Sequence, residues 1–155
     1  MESGYKAINK LIEYLLVIIF TLLVVDVVWQ VFSRYVLGRS FSFTEEFARF
    51  ALIWLSLLGA AYLNGKQAHL SMDYLTSKLS AEDLQKRKKV LEGMMLVFAL
   101  FVLVIGGGNL VYTTFLLGQK SPAMGISLGY VYSIIPISGL IIMFYSIYNI
   151  TYKAD

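Results

Sequence analysis

Four long apolar runs separated by short polar breaks constrain this 155-residue chain more than anything else in it. They centre on Leu15 to Val36, Phe50 to Asn64, Met94 to Leu117 and Ile126 to Ile150. A bilayer core about 30 Å thick is crossed by roughly 20 apolar residues in a helix. Backbone amides inside hydrocarbon have no water to bond, so each run must satisfy its own as a helix. The expectation is an all-α integral membrane protein, a single four-helix membrane domain over residues 1–155, with helices at about 11–37, 44–65, 81–118 and 125–151. The longest polar stretch, Gly65 to Lys89, has room for one short surface helix, for which Leu70, Tyr74, Leu75 and Leu79 supply an apolar spacing of about four. Lys6 and Lys10 ahead of an apolar run resemble a signal peptide, but the run is long and no small-residue cleavage site follows Val25, so an anchor helix is expected.

The first two runs are joined by a charged island, VFSRYVLGRSFSFTEEFAR, from Val31 to Arg49. Arg34 and Arg39 close the first helix; Ser42, Thr44, Glu45 and Glu46 have the composition of a helix start, with oxygens for orphan amides and acids at the positive dipole end. Glu45 and Glu46 stand four and three residues before Arg49, a spacing that suits salt bridges within the helix. Lys6, Lys10, Lys66, Lys78, Lys86, Arg87, Lys88, Lys89 and Lys153 fall on one side of the resulting topology, against Arg34, Arg39, Arg49 and Lys120 on the other. Nine basic residues against four place both termini in the cytoplasm. The Lys86, Arg87, Lys88 and Lys89 run reads as the inner anchor of the third helix, in reach of anionic lipid headgroups.

Polar residues inside the runs are few. Asp26 costs about 2.5 to 3.5 kcal/mol to insert near a helix centre, a cost its apolar neighbours offset. Asp26, Gln30 and Ser33 lie at i, i+4 and i+7, on one face, which should meet protein rather than lipid. Asp26 and Gln30, with Arg34, Glu45, Glu46 and Arg49, are candidates for a subunit interface. Gly125, Gly129 and Ser133 form a small-residue stripe expected to open the fourth helix and suit close packing, with Gly125 and Gly129 as further interface candidates. Pro136 should kink that helix near Tyr132, and Tyr145, Tyr148 and Tyr152 should mark the inner membrane interface. Gly106, Gly107 and Gly108 permit a bend or a close helix contact.

Several function classes fall away. The chain has no cysteine, hence no thiol nucleophile or thiolate metal site, and one histidine, too few for bis-histidine haem ligation. His69 and Asp73 at i, i+4 lack further ligands. The net charge of +3 is spread over loops beside apolar helices, which encodes orientation and not a nucleic-acid surface. Polar groups are scattered over several helices, so no enzyme site, cofactor or metal site is expected to converge.

Three stretches taken together resemble one family: FSRYVLGRSFSFTEEFARF after the first run, GAAYLNGKQAHLSMDYL after the second, and SPAMGISLGYVYSIIP into the fourth. They look like the small membrane subunit, the DctQ-like Q component, of tripartite ATP-independent periplasmic (TRAP) transporters, with a general likeness to the sialic-acid branch. The resemblance implies a non-catalytic scaffold in the bacterial inner membrane. It would brace a large membrane subunit that carries sodium-coupled uptake of an organic acid delivered by a periplasmic binding protein. By resemblance, Arg34 with Tyr35, Glu45 with Glu46, and His69 with Asp73 occupy recurrent positions of that family. The alternative reading of the residues is a small dimeric proton-coupled exporter that uses Asp26.

Overall fold

The computed structural model describes residues 2–66 and 81–152. His69, Asp73 and the Leu70 to Leu79 block lie outside them, as does the side chain of Tyr152. The chain runs α1 (Glu2–Val36), α2 (Ser42–Lys66), α3 (Ala81–Phe98), a π-helical segment (Ala99–Gly106), α4 (Gly107–Leu116), α5 (Leu128–Tyr132) and α6 (Ile134–Tyr152). Four continuous helical spans are long and apolar enough to cross a membrane: Gly4–Val36, Ser42–Lys66, Gln85–Leu116 and Leu128–Thr151. The first helix is longer than its apolar run suggests, because its N-terminal turns pack on the bundle: Tyr5 and Ile8 lie against the buried cluster of Ile12, Leu58, Ile134 and Tyr145.

Neighbours in the bundle follow from which faces are narrow. α1 packs along α2, α2 along α6, and α6 along α3 and the π segment, so α6 holds the middle. The crossing of α6 with the π segment is built on small residues. Ala61 and Ala99 are fully buried beside Leu103 and Ile142. A Cβ on Gly139 would stand 2.7 Å from Leu103 Cβ, and one on Gly107 2.6 Å from Ile135 Cγ2. In a bilayer lipid tails are as apolar as leucine, so such close backbone approach and its dispersion contacts are what bring helices together. Of the three glycines in series, Gly107 is the one seated in this contact; Gly108 has nothing within 4 Å of an added Cβ.

The π segment was not visible in the sequence. Its wide turn is closed by the Gly107 amide bonding back to Val102 O, five residues earlier. An extra residue in one turn shifts the face presented by everything after it.

One of the expected boundaries is corrected. Gly125 does not open the last span: it sits in the preceding loop at φ 69°, and the helix starts at Leu128, capped by Ser127, whose hydroxyl accepts from the Gly129 amide at 3.4 Å. A positive φ is open to glycine at little cost, and here it lets the chain double back. Pro136 acts as its place predicts: it has no amide to offer Tyr132 O, and the last span is interrupted for one residue at Ser133, between α5 and α6, with the Ile137 amide bonding back to Ser133 O at 3.3 Å. Tyr145 and Tyr148 also differ from the expected interfacial belt. Both are buried, Tyr148 stacked on Tyr5 at 4.7 Å and Tyr145 edge-on to it at 5.6 Å. The Tyr145 hydroxyl donates to Asn9 Oδ1 at 2.7 Å and the Tyr5 hydroxyl to Gly65 O at 2.6 Å, joining the ends of α1, α2 and α6.

Candidate functional site

Residues singled out in the sequence gather at the end of the bundle that holds the α1–α2 turn. That turn begins where Ser33 O accepts amides from Leu37 and Arg39, and Gly38 takes φ 65° to reverse the chain. Asp26, Gln30 and Ser33 share a face, as their spacing requires. The Gln30 amide bridges, donating to Asp26 Oδ2 at 2.5 Å and to Thr44 O on α2 at 3.1 Å. Ser33 is 1% exposed, its hydroxyl donating to Gln30 O at 3.0 Å, whereas Asp26 and Gln30 are half-buried. A shallow cavity of about 200 Å³ lined by Val27, Gln30, Val31, Arg34 and Tyr35 continues this polar face outward. The carboxylate of Asp26 is thus partnered by an amide within its own helix and stays on the outer surface of the bundle.

The acids of α2 do not pair with Arg49. Glu45 reaches across the turn to Arg34 at 3.5 Å, an exposed contact with side chains 61% and 47% accessible. Glu46 turns instead to the loop before α5. Its Oε2 accepts from the Ser121 hydroxyl, and from the amides of Ala123 and Met124 at 3.2 Å each. Arg49 acts on Glu46 through its charge alone. The reason is geometric: the Glu46 carboxylate faces a set of donors that already point at it, while the Arg49 side chain stays exposed. Thr44 also departs from its expected role, since its hydroxyl donates to Phe41 O at 2.8 Å and caps no amide.

The loop that Glu46 holds is itself a tight hairpin. Gly118 at φ 60° ends α4, Lys120 and Ser127 pair as an isolated antiparallel bridge, and the Ser121 amide donates to Ile126 O at 2.8 Å. Gly129 then lies flat on Phe115, where a Cβ would fall 2.5 Å from the ring, so this stripe residue packs within the chain. Trp54 of α2 donates from Nε1 to Val131 O at 3.0 Å. Between these contacts an apolar groove of about 300 Å³ opens along Ile19, Phe47, Trp54, Met124, Ile126 and Tyr130.

At the opposite end lies a polar cluster that the sequence reading missed. Asn64 of α2, Glu92 of α3, and Ser146 and Asn149 of α6 are all buried. Asn64 Nδ2 donates to Ser146 Oγ at 3.1 Å and Ile142 O at 3.4 Å. Asn149 Nδ2 donates to Glu92 Oε1 at 2.9 Å and to Asn64 O at 3.2 Å. In sequence these four stand at the margins of three separate runs, where polar residues normally face headgroups; a stripe of Ser138, Ser146 and Asn149 on one span was the available signal. Of the basic run beside it, Lys86, Arg87 and Lys89 are exposed and Lys88 is half-buried.

No group of three or more His, Asp or Glu side chains able to hold a metal occurs among the described residues. Residues 22–154 match the profile of the DctQ component of tripartite ATP-independent periplasmic transporters. Two TRAP transporter small permease proteins of Haemophilus influenzae are similar to the chain. One is 29% identical over 142 residues, covering 92% of this chain and 86% of the relative. The other is 25% identical over 154 residues, covering 97% and 92%. A sialic acid TRAP transporter small permease protein, SiaQ, of Vibrio cholerae is 24% identical over 139 residues, covering 90% of this chain and 79% of that one.

Proposed function

The chain belongs to the DctQ family of TRAP transporter small permease subunits, and from that premise we propose that it is the non-catalytic partner that braces a large membrane subunit during sodium-coupled uptake of an organic acid. A periplasmic binding protein delivers the substrate. Sialic acid is the substrate class that one relative's name supplies. The protein sits in the bacterial inner membrane with both termini in the cytoplasm, the arrangement that its nine-to-four division of basic residues favours. On the inner side the Lys86 to Lys89 run meets anionic headgroups.

One observation carries the bracing role. Asp26 and Gln30 lie half-buried on a helix whose apolar flank is otherwise left uncovered by the chain, with Val24, Val25, Val27, Val28 and Val31 all exposed. An acid on the outer surface of a membrane span belongs against protein and not against lipid tails. Arg34, exposed one turn further on, extends the same face towards the headgroups. Asp26, Gln30 and Arg34 are therefore the interface candidates of first rank. Glu45 belongs to the rim of that face, whereas Glu46 and Gly129 are engaged inside the chain. Family membership favours this subunit reading over an exporter that works alone.

The test is a mild-detergent pull-down of the tagged chain from its native membrane. A much larger membrane protein is expected to co-purify one-to-one, and Asp26→Asn with Arg34→Ala should lower its recovery more than they change the ion dependence of transport. Undiminished complex recovery with abolished transport would move Asp26 from bracing to coupling.

A further inference from the structure

The buried cluster between α2, α3 and α6 has acceptors with nothing to accept from. Asn64 Oδ1, Glu92 Oε2 and Asn149 Oδ1 are all enclosed and unpartnered, on residues that are 1%, 6% and 4% exposed. The network orients the amides: Asn149 Nδ2 faces a carbonyl and a carboxylate oxygen, so a flip would set oxygen against oxygen, and Asn64 Nδ2 faces the Ile142 carbonyl besides the Ser146 hydroxyl, which serves either sense. An unsatisfied buried acceptor costs about 1 to 3 kcal/mol, and a carboxylate more. Lys66 at the end of α2 lies over the Tyr62 ring at 4.6 Å, and Lys88 and Lys89 precede Glu92 on α3.

We propose that Glu92, Asn64 and Asn149 form a binding site for an alkali-metal cation. The donor set is all oxygen, which selects a hard cation, and it carries one formal negative charge, which a monovalent ion balances. A divalent ion would leave a net positive charge enclosed among apolar helices. Glu92 lies three residues beyond the exposed Lys89, about 4.5 Å along the helix axis, which places the site near the polar edge of the span. The nearby basic run opposes cation entry by long-range repulsion. Ser146 acts as a positioning residue by accepting from the Asn64 amide and so aiming Asn64 Oδ1. The ion joins three helices and serves the bundle itself, so this proposal does not depend on the bracing role.

The test uses the full chain in mild detergent. Its thermal unfolding midpoint is followed as lithium, sodium or potassium chloride replaces choline chloride at constant ionic strength, which holds charge screening fixed. A saturable rise with at least one alkali cation is expected, as for any ligand that binds the folded state alone. Glu92→Gln should abolish the rise, and Ser146→Ala should weaken the apparent affinity about 10- to 100-fold, the usual effect of losing a group that orients a ligand. Retention of radioactive sodium by the wild-type chain, chased by unlabelled alkali salt and not by choline, gives a second readout if Glu92→Gln fails to fold. A flat response to all three cations, or a rise of equal size in Glu92→Gln, would overturn the proposal and leave the network closed by water or a proton.

Discussion

Gly107 and Gly108 are neighbours in sequence with opposite surroundings, and substituting each by alanine isolates what close helix contact contributes. An alanine Cβ at 107 would stand 2.6 Å from Ile135 Cγ2, 3.1 Å from Ile135 Cβ and 3.3 Å from Pro136 Cδ. Carbon atoms settle at about 3.5 to 4.0 Å, so α6 has to move away. It cannot yield by a rotamer change alone, because the Pro136 ring is part of the backbone and Ile135 is β-branched. Overpacking of this kind costs about 1 to 3 kcal/mol. Replacing glycine by alanine in a helix returns roughly 1 kcal/mol in either position, so that gain cancels when the two variants are compared. Gly108→Ala, with nothing within 4 Å, should match or exceed the wild type. Gly107→Ala should fall below Gly108→Ala by about 1 to 3 kcal/mol. Equilibrium unfolding by sodium dodecyl sulfate in mixed micelles, followed by the fluorescence of Trp29 and Trp54, reads the difference. Unfolding of both variants at the same detergent fraction would show that the α6 crossing is loose and that the argument from small residues is wrong.

Other outcomes follow from the same contacts. Trp54→Phe keeps the ring and removes the donor to Val131 O, so it should destabilise the chain by about 1 to 2 kcal/mol in the same assay. A smaller loss would mean that another donor replaces it. Glu46→Ala removes the acceptor shared by Ser121, Ala123 and Met124; hydrogen exchange at the Ala123 and Met124 amides should quicken while exchange in α6 stays slow. Unchanged protection of those amides would show that the loop holds its shape unaided. Arg34→Ala breaks an exposed pair and should cost the isolated chain less than about 1 kcal/mol. A larger loss would assign Arg34 to the fold and remove it from the proposed interface.

The four spans and the turn within the Val31 to Arg49 island were legible in the sequence because the transfer of apolar residues into hydrocarbon is local and additive: each run settles its own fate. The i, i+4 spacing of Asp26 and Gln30 likewise fixed a shared face, since the helical period is the same wherever the helix stands. Side-chain partners between helices have no such local rule. Glu46 chose Ser121, 75 residues away, over Arg49 in the next turn, because the choice depends on how far each helix is rotated about its axis and where the hairpin loop comes to rest. Gly125 looked like one member of a spaced stripe; its place in a turn was decided by the loop closing between Lys120 and Ser127. The Asn64, Glu92 and Asn149 cluster is the plainest case. Each residue taken alone is a polar group near the end of an apolar run, and only the packing of α2 and α3 on either side of α6 encloses all three.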